Sequence, residues 1–117
     1  MAQNPESNKT IALYFYIIAF NGDPSAALEY FASDTFKINN PLIGSTKTSF
    51  ISYFDGLETS YPDRTLTIDR TIASNDVVSI QTSQTWSSGA KYKTLSFFKF
   101  NDSGEIKAYW DKRSTIN

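Results

Sequence analysis

The chain of 117 residues contains neither cysteine nor histidine, and its formal net charge is −1. Without cysteine it has no disulfide and no thiolate nucleophile, and without histidine it has no Ser-His-Asp triad and no His-ligated metal. Its longest basic run is the pair Lys112–Arg113, so no basic face for nucleic acid is predicted. Acid–base chemistry would therefore have to use carboxylates, lysine, tyrosine or water.

The composition is typical of a folded domain. Hydrophobic residues make up 40% of the chain and aromatic residues 15%, which suits both a packed core and a pocket for a flat apolar ligand. We expect a single domain over 1–117, with an ordered core of about 8–115. The longest apolar run, 11–20, is about half as long as a membrane span, and Glu6 before it does not fit a signal peptide. A cytoplasmic protein without membrane contact is predicted.

Two helices are predicted in the first third of the chain. The first starts at Asn8 or Lys9, because apolar residues then follow the i, i+3, i+4, i+7 spacing of one helix face. That face consists of Ile11, Tyr14, Phe15 and Ile18. The segment 21–24, Asn-Gly-Asp-Pro, ends this helix, and Asp23 caps a second helix with Pro24 at its first position.

A third helix is predicted to start at Ser45 or Thr46 and to stop before Tyr61. Its apolar face consists of Phe50, Ile51, Phe54 and Leu57. Before it, 36–39 is predicted as a short strand, and Asn40-Pro41 with Gly44 close behind forces a loop.

After the third helix the hydrophobic period changes from about 3.6 to 2, which indicates strands. Four strand-like runs cover 66–72, 78–86, 92–100 and 105–113. The three turns that connect these four strands, 74–76, 87–89 and 101–104, are too short for a parallel crossover. Consecutive strands are therefore predicted to be antiparallel neighbours. We therefore predict an α+β fold in which three N-terminal helices pack on an antiparallel sheet, with the early strand at one edge.

Three segments resemble the SnoaL-like proteins of the nuclear transport factor 2-like superfamily. The run from Phe97 to Asp111 resembles their closing hairpin: an aromatic strand, an acidic-Gly turn and a final Trp-Asp. The segment 36–41 with Gly44 resembles their Asn-Pro loop, and 68–70 followed by 75–78 resembles their next hairpin. The resemblance covers about 8–115. It implies a cone-shaped bent antiparallel sheet, also described as cystatin-like, that holds a ligand cavity, and homodimers are common in the superfamily.

The resemblance implies two candidate catalytic residues. In polyketide cyclase members an acidic cavity residue is the general acid/base, and Asp111 is its nearest match. Ketosteroid isomerase, a relative, uses a tyrosine of the first helix as an oxyanion donor, which points to Tyr14; a packed core tyrosine is the alternative. Where the family often carries histidine before Asn-Pro, this chain has Asn39, whose amide can bond a carbonyl but cannot take a proton near pH 7.

Strand alternation leaves the orientation of two charged residues open. Simple alternation places Asp111 with the polar set Glu105, Lys107 and Arg113, on the face opposite Trp110, but a bulge would reset this count. Arg70 shares a strand face with the apolar residues 66, 68 and 72, so it either pairs with a buried carboxylate such as Asp111 or reaches water from the strand end.

A pocket for a small apolar ligand is predicted from these residues. Its candidate lining consists of Tyr14, Phe15, Ile18, Asn39, Phe54, Arg70, Gln84, Trp86 and Tyr109. A core role explains Gln84, Trp86 and Tyr109 equally well. The acidic residues are scattered along the chain, so no metal or other cofactor is predicted.

Three functions are compatible with these features. A non-catalytic protein that binds a small hydrophobic molecule is preferred, because the chain has no histidine and one candidate acid. A cyclase- or isomerase-like enzyme that uses Asp111 as general acid/base ranks second. A dimeric protein-interaction module, with the sheet face as its functional surface, ranks third.

Overall fold

The computed structural model describes residues 4–39, 43–44, 46–87 and 90–115. The helices in these residues are α1 (Pro5–Phe20), α2 (Pro24–Phe31) and α3 (Lys47–Ser60). The strands are β1 (Ala32–Asn39), β2 (Thr65–Ser74), β3 (Val77–Ser87), β4 (Ala90–Phe100) and β5 (Ile106–Thr115). None of the helices in the described residues is both long and apolar enough to span a bilayer.

The helix boundaries follow their capping residues. Asp23 accepts a hydrogen bond from the backbone N–H of Ala26, and Thr46 forms a capping box with Ser49, so the predicted starts of α2 and α3 are confirmed. The predicted start of α1 is wrong. Asn4 caps this helix, which begins at Pro5, because a cap sets the first turn even where the apolar period has not yet begun.

The five strands form one open sheet in the order β1-β5-β4-β3-β2. Strands β2 to β5 are antiparallel neighbours, as their short turns predicted. Strand β1 pairs with β5 in parallel, so the sheet is mixed and the expectation of a wholly antiparallel sheet is wrong. The whole of α3 and the meander β2–β4 separate these two strands along the chain, so no short turn forces them to be antiparallel.

Two of the predicted turns have the required backbone. Asn75, between β2 and β3, has a φ of 52°, and Gly104, between β4 and β5, has a φ of 82°. Asn101 closes the second turn, since its Oδ1 accepts hydrogen bonds from the N–H groups of Ser103 and Glu105. The turn at 87–89 and the loop at Asn40-Pro41 lie largely or wholly outside the described residues.

Aromatic rings from the helices and the sheet fill the middle of the interior. Phe15 of α1 packs against Phe50 of α3 and Phe98 of β4, with ring centroids 5.3 and 5.8 Å apart. Tyr109 of β5 joins the same cluster, 5.1 Å from Phe98 and 5.9 Å from Phe50. All four side chains are fully buried. Rings of this size bury large apolar areas, so this cluster anchors the helices to the sheet.

Candidate functional site

A bulge in β5 decides which of its side chains face the helices. Phe100 pairs with Ile106 but Lys99 pairs with Ala108, so Lys107 is an extra residue on β5. Beyond the bulge, Tyr109 lies opposite buried Phe98, and the next inward position is Asp111. Asp111 therefore faces the interior, and the alternation that grouped it with outward polar residues is wrong.

Two hydroxyl groups hold the carboxylate of Asp111. Tyr109 Oη donates to Oδ2 at 3.0 Å, and Ser96 Oγ, on the paired position of β4, donates to Oδ1 at 3.2 Å. Asp111 is partly buried. Burial raises its pKa above the ordinary value of 3.8, while the hydrogen bonds from Tyr109 and Ser96 and the charge of Arg113 act against that rise. A carboxyl group in this setting can accept or release a proton closer to neutral pH than an exposed one.

Arg113 lies one inward position beyond Asp111 and rests on two aromatic rings. Its guanidinium carbon is 4.5 Å from the ring centroid of Trp86 and 4.9 Å from that of Tyr92. Its Nη1 donates a 3.4 Å hydrogen bond to Tyr53 Oη on α3. Burial raises the pKa of Tyr53 to about 12, with the positive charge of Arg113 working in the opposite direction, so this hydroxyl stays protonated at neutral pH.

A buried hydrogen-bond network centred on Gln84 lies beside this group on β3. Its Nε2 donates to Tyr16 Oη at 2.8 Å and to Thr82 Oγ1 at 3.0 Å, and its Oε1 accepts from Trp86 Nε1 at 2.7 Å. Every buried side-chain nitrogen and oxygen in the described residues has a hydrogen-bond partner. The network fixes Trp86 and thereby the surface on which Arg113 rests.

We call the partly exposed group formed by Tyr53, Trp86, Tyr92, Asp111 and Arg113 the inner-face cluster. It lies next to the core of aromatic rings, and its residues come from α3, β3, β4 and β5. Asp111 is its one carboxylate among the described residues, and these residues contain no group of three or more potential metal ligands. The chemistry that the cluster can perform on its own is proton transfer through Asp111, beside a cation and neutral hydroxyl donors.

The tyrosine of α1 that faces the interior is Tyr16 and not the predicted Tyr14. Tyr14 is 57% exposed and points away from the interior, so its predicted inward position is wrong. Tyr16 points inward instead, because the small side chains of Ala12 and Ala19 form the close-packed face of α1 with Phe15. The spacing of the large apolar residues of α1 predicted the wrong buried face of the helix. The two alanines, which are buried, would have indicated the correct face. Burial raises the pKa of Tyr16, and the negative charge of Asp111 adds to that rise.

Arg70 lies on the opposite side of the sheet from Asp111. Ile68 pairs with Thr82 but Arg70 pairs with Gln81, so Asp69 is an extra residue and the facing of β2 reverses there. Arg70 is exposed, and the interpretation that it shares an inward face or pairs with Asp111 is wrong. A bulge of this kind has no marker in the residue pattern.

The remaining predicted pocket residues divide into three groups. Phe15, Phe54 and Tyr109 are fully buried in the ring cluster, whereas Ile18 is partly buried against it. Trp86 belongs to the inner-face cluster, and Gln84 lies beside it, hydrogen-bonded to Trp86. The side chain of Asn39 lies outside the described residues; its backbone pairs with Trp110 of β5. Ser96, Tyr53 and Arg113 were missed. The facing of Arg113 and the pairing of Ser96 with Asp111 depend on the register of β5, and Tyr53 of α3 is recognised only by its hydrogen bond with Arg113.

No protein-family model matches the sequence, and no curated protein is similar to it at a significant level. Solved structures are similar in fold. A protein from Jannaschia sp. CCS1, provisionally assigned as a SnoaL-like polyketide cyclase, superposes with a TM-score of 0.77 at 12% identity, over 97% of this chain and 91% of that one. A SnoaL-like protein of unknown function from Burkholderia thailandensis gives 0.75 at 16% identity, over 97% and 99%.

A third similar structure, from Kribbella flavida, is provisionally assigned as a ketosteroid isomerase, with a TM-score of 0.74 at 14% identity, over 97% of this chain and 82% of that one. The chain therefore has the α+β fold of the SnoaL-like and nuclear transport factor 2-like proteins, which confirms the fold that its sequence predicted. At these identities the similarity describes the fold and leaves the chemistry to be argued from the inner-face cluster.

Proposed function

We propose that the protein binds a small hydrophobic carbonyl compound against the inner-face cluster and that Asp111 acts on it as general acid/base. The observation that carries this proposal is the position of Asp111. Its carboxyl group faces the interior, is held by the hydroxyls of Tyr109 and Ser96, and has a raised pKa because it is partly buried. The similar structures assigned as a polyketide cyclase and a ketosteroid isomerase support this choice of chemistry.

The proposed step is proton transfer at a carbon next to a carbonyl group. The ionised carboxylate of Asp111 takes the C–H proton, the C–H electron pair forms the enolate, and the now neutral carboxyl group returns the proton to carbon or oxygen. A general base whose pKa lies nearer the working pH performs this exchange more effectively than an ordinary exposed aspartate. The aromatic rings around the cluster provide an apolar surface for the body of the substrate.

Hydrogen–deuterium exchange at the α-carbon of 2-tetralone in D2O, followed by NMR, tests this function. The wild-type protein is expected to accelerate exchange, and Asp111→Asn is expected to lower the protein-dependent rate by roughly a hundredfold, since acid–base catalysis contributes about that much or more. Asp69→Asn is the matched control, because Asp69 is the carboxylate of the β2 bulge and lies away from the cluster, bonded to Ser83 and Lys93. Equal exchange rates for wild type and Asp111→Asn would end the proposal.

A second candidate is ligand binding without turnover. The observation that favours it is the composition: the chain contains no histidine, so Asp111 would have to act without the usual acid–base partner near neutral pH. A pure binder would be stabilised against heat by apolar ligands to the same extent in wild type and Asp111→Asn, and neither would accelerate exchange.

We propose that the protein forms a homodimer through the outer face of its sheet. Ile72 of β2 is 44% exposed and Phe97 of β4 is 37% exposed, and the strand register connects them through Ser79 of β3. Phe97 is paired with partly buried Trp110 of β5. A second copy placed on this row would cover apolar surface that is otherwise open to water.

A further inference from the structure

Arg113 is the cation of the inner-face cluster, and its environment differs from that of the other well-packed arginine. Arg64, with a side chain 4% exposed, donates to the backbone carbonyls of Phe20 and Tyr61 and forms an ion pair with Glu58 at 2.6 Å. Its donors are therefore used within the protein, and its role is to join α1 to the end of α3.

The guanidinium group of Arg113 is fixed in place but keeps most of its donors free. Across the described residues its single hydrogen bond is the long one to Tyr53, and no carboxylate lies within ion-pair distance of it. The rings of Trp86 and Tyr92, whose centroids are 4.6 Å apart, both contact the planar group and hold it in place. A guanidinium has five N–H donors in a rigid fork, so a held and unpaired one suits an anionic oxygen group.

We propose that Arg113 forms an oxyanion subsite beside Asp111, and that the ligand of this protein is a flat apolar molecule that carries a carboxylate. The two oxygens of a carboxylate match the fork of the guanidinium, and Tyr53 adds a neutral hydroxyl next to it. This inference rests on the proposed ligand site and narrows its ligand class from any apolar carbonyl compound to an acidic one.

A purely structural role is the competing explanation, in which Arg113 covers Trp86 and Tyr92 and nothing more. Such a role predicts that replacing Arg113 alters stability but not the choice between a charged and a neutral ligand. Both explanations allow a variant of Arg113 to be less stable. They differ in whether the variant loses the preference for a charged ligand over a neutral one.

A matched pair of ligands measures this selectivity. 2-Naphthoate and 2-naphthamide share the same rings and differ in charge, and isothermal titration calorimetry at neutral pH gives both dissociation constants. Wild type is expected to bind the acid about tenfold more tightly than the amide, because a charge-assisted bidentate pair replaces a neutral contact. Arg113→Met is expected to abolish the preference while still binding the amide.

Two further variants keep the test decisive. Lys112→Met removes the same charge from the neighbouring exposed position and is expected to keep the full preference. Arg113→Lys keeps the charge without the planar fork and is expected to retain part of it, with circular dichroism to show that each variant is folded. Equal affinity of wild type for the two probes, or a preference that survives in Arg113→Met, would overturn the oxyanion subsite alone. Binding of neither probe to wild type would overturn the ligand site as well.

Discussion

The hydrogen-bond network around Gln84 is expected to stabilise the folded protein by a measurable free energy. Gln84→Leu keeps nearly the same side-chain volume but removes the acceptor of the Trp86 Nε1–H, which lies on a residue only 8% exposed. The same change removes the donor to Tyr16 Oη. A buried donor left without a partner costs about 1–3 kcal/mol, and the gain from a more apolar side chain returns part of that. We expect a net loss of about 2 kcal/mol in the free energy of unfolding.

Urea unfolding followed by far-ultraviolet circular dichroism measures this loss. For a domain of this size about 2 kcal/mol corresponds to a melting temperature lower by roughly 8 °C, which a thermal scan checks independently. Gln81→Leu is the matched control, because Gln81 lies on the same strand with its side chain exposed on the outer face, where a substitution changes stability by only about 0.5 kcal/mol. If Gln84→Leu were as stable as Gln81→Leu, the hydrogen-bond network would have no net energetic role and this reasoning would be refuted.

Two further predictions concern Asp111 and the outer face. The pKa of Asp111 is raised in the folded protein, so its contribution to stability is fully present below about pH 3.8 and is lost as the pH rises through the folded pKa. The free energy of unfolding of wild type, measured in urea from pH 3.5 to 8, should therefore fall with rising pH relative to Asp111→Asn, and a constant difference would contradict the raised pKa. Self-association through Ile72 and Phe97 would cover exposed apolar side chains, so sedimentation should show a dimer for wild type and a weaker one for Phe97→Ser; an unchanged dimer in Phe97→Ser would exclude this face.

Local signals in the sequence were sufficient for much of the fold. The caps at Asp23 and Thr46 and the short turns of the meander act within a few residues, so the starts of α2 and α3 and the antiparallel order of β2–β5 were predictable. The orientation of β1 relative to β5 was not predictable. It depends on the direction in which β2 starts after α3, and no short turn fixes that direction. The start of α1 was missed because its cap, Asn4, lies before the apolar period begins.

The candidate site was less predictable, because single-residue insertions in the strands determine it. The family resemblance pointed to Asp111 as a candidate, but its inward facing depends on the bulge at Lys107. The same kind of bulge at Asp69 carries Arg70 to the outer face. A bulge reverses every facing beyond it, whereas the alternation of residue types records only the average pattern of a strand. Register, and with it the neighbours of Asp111, therefore had to come from the structure.

The bulge at Lys107 also explains why an acid and a cation can share an apolar interior. Without it, Trp110 and Lys112 would face the helices, and a lysine ammonium group would lie among the rings with no carboxylate placed to compensate its charge. With it, Lys112 is exposed, while Asp111 and Arg113 come to adjacent inward positions. Each of the two charges is then supported by its own partners, hydroxyls for Asp111 and aromatic faces for Arg113, and not by a direct ion pair. Because neither charge neutralises the other at contact distance, Asp111 keeps its capacity to move a proton and Arg113 keeps its donors for a bound anion.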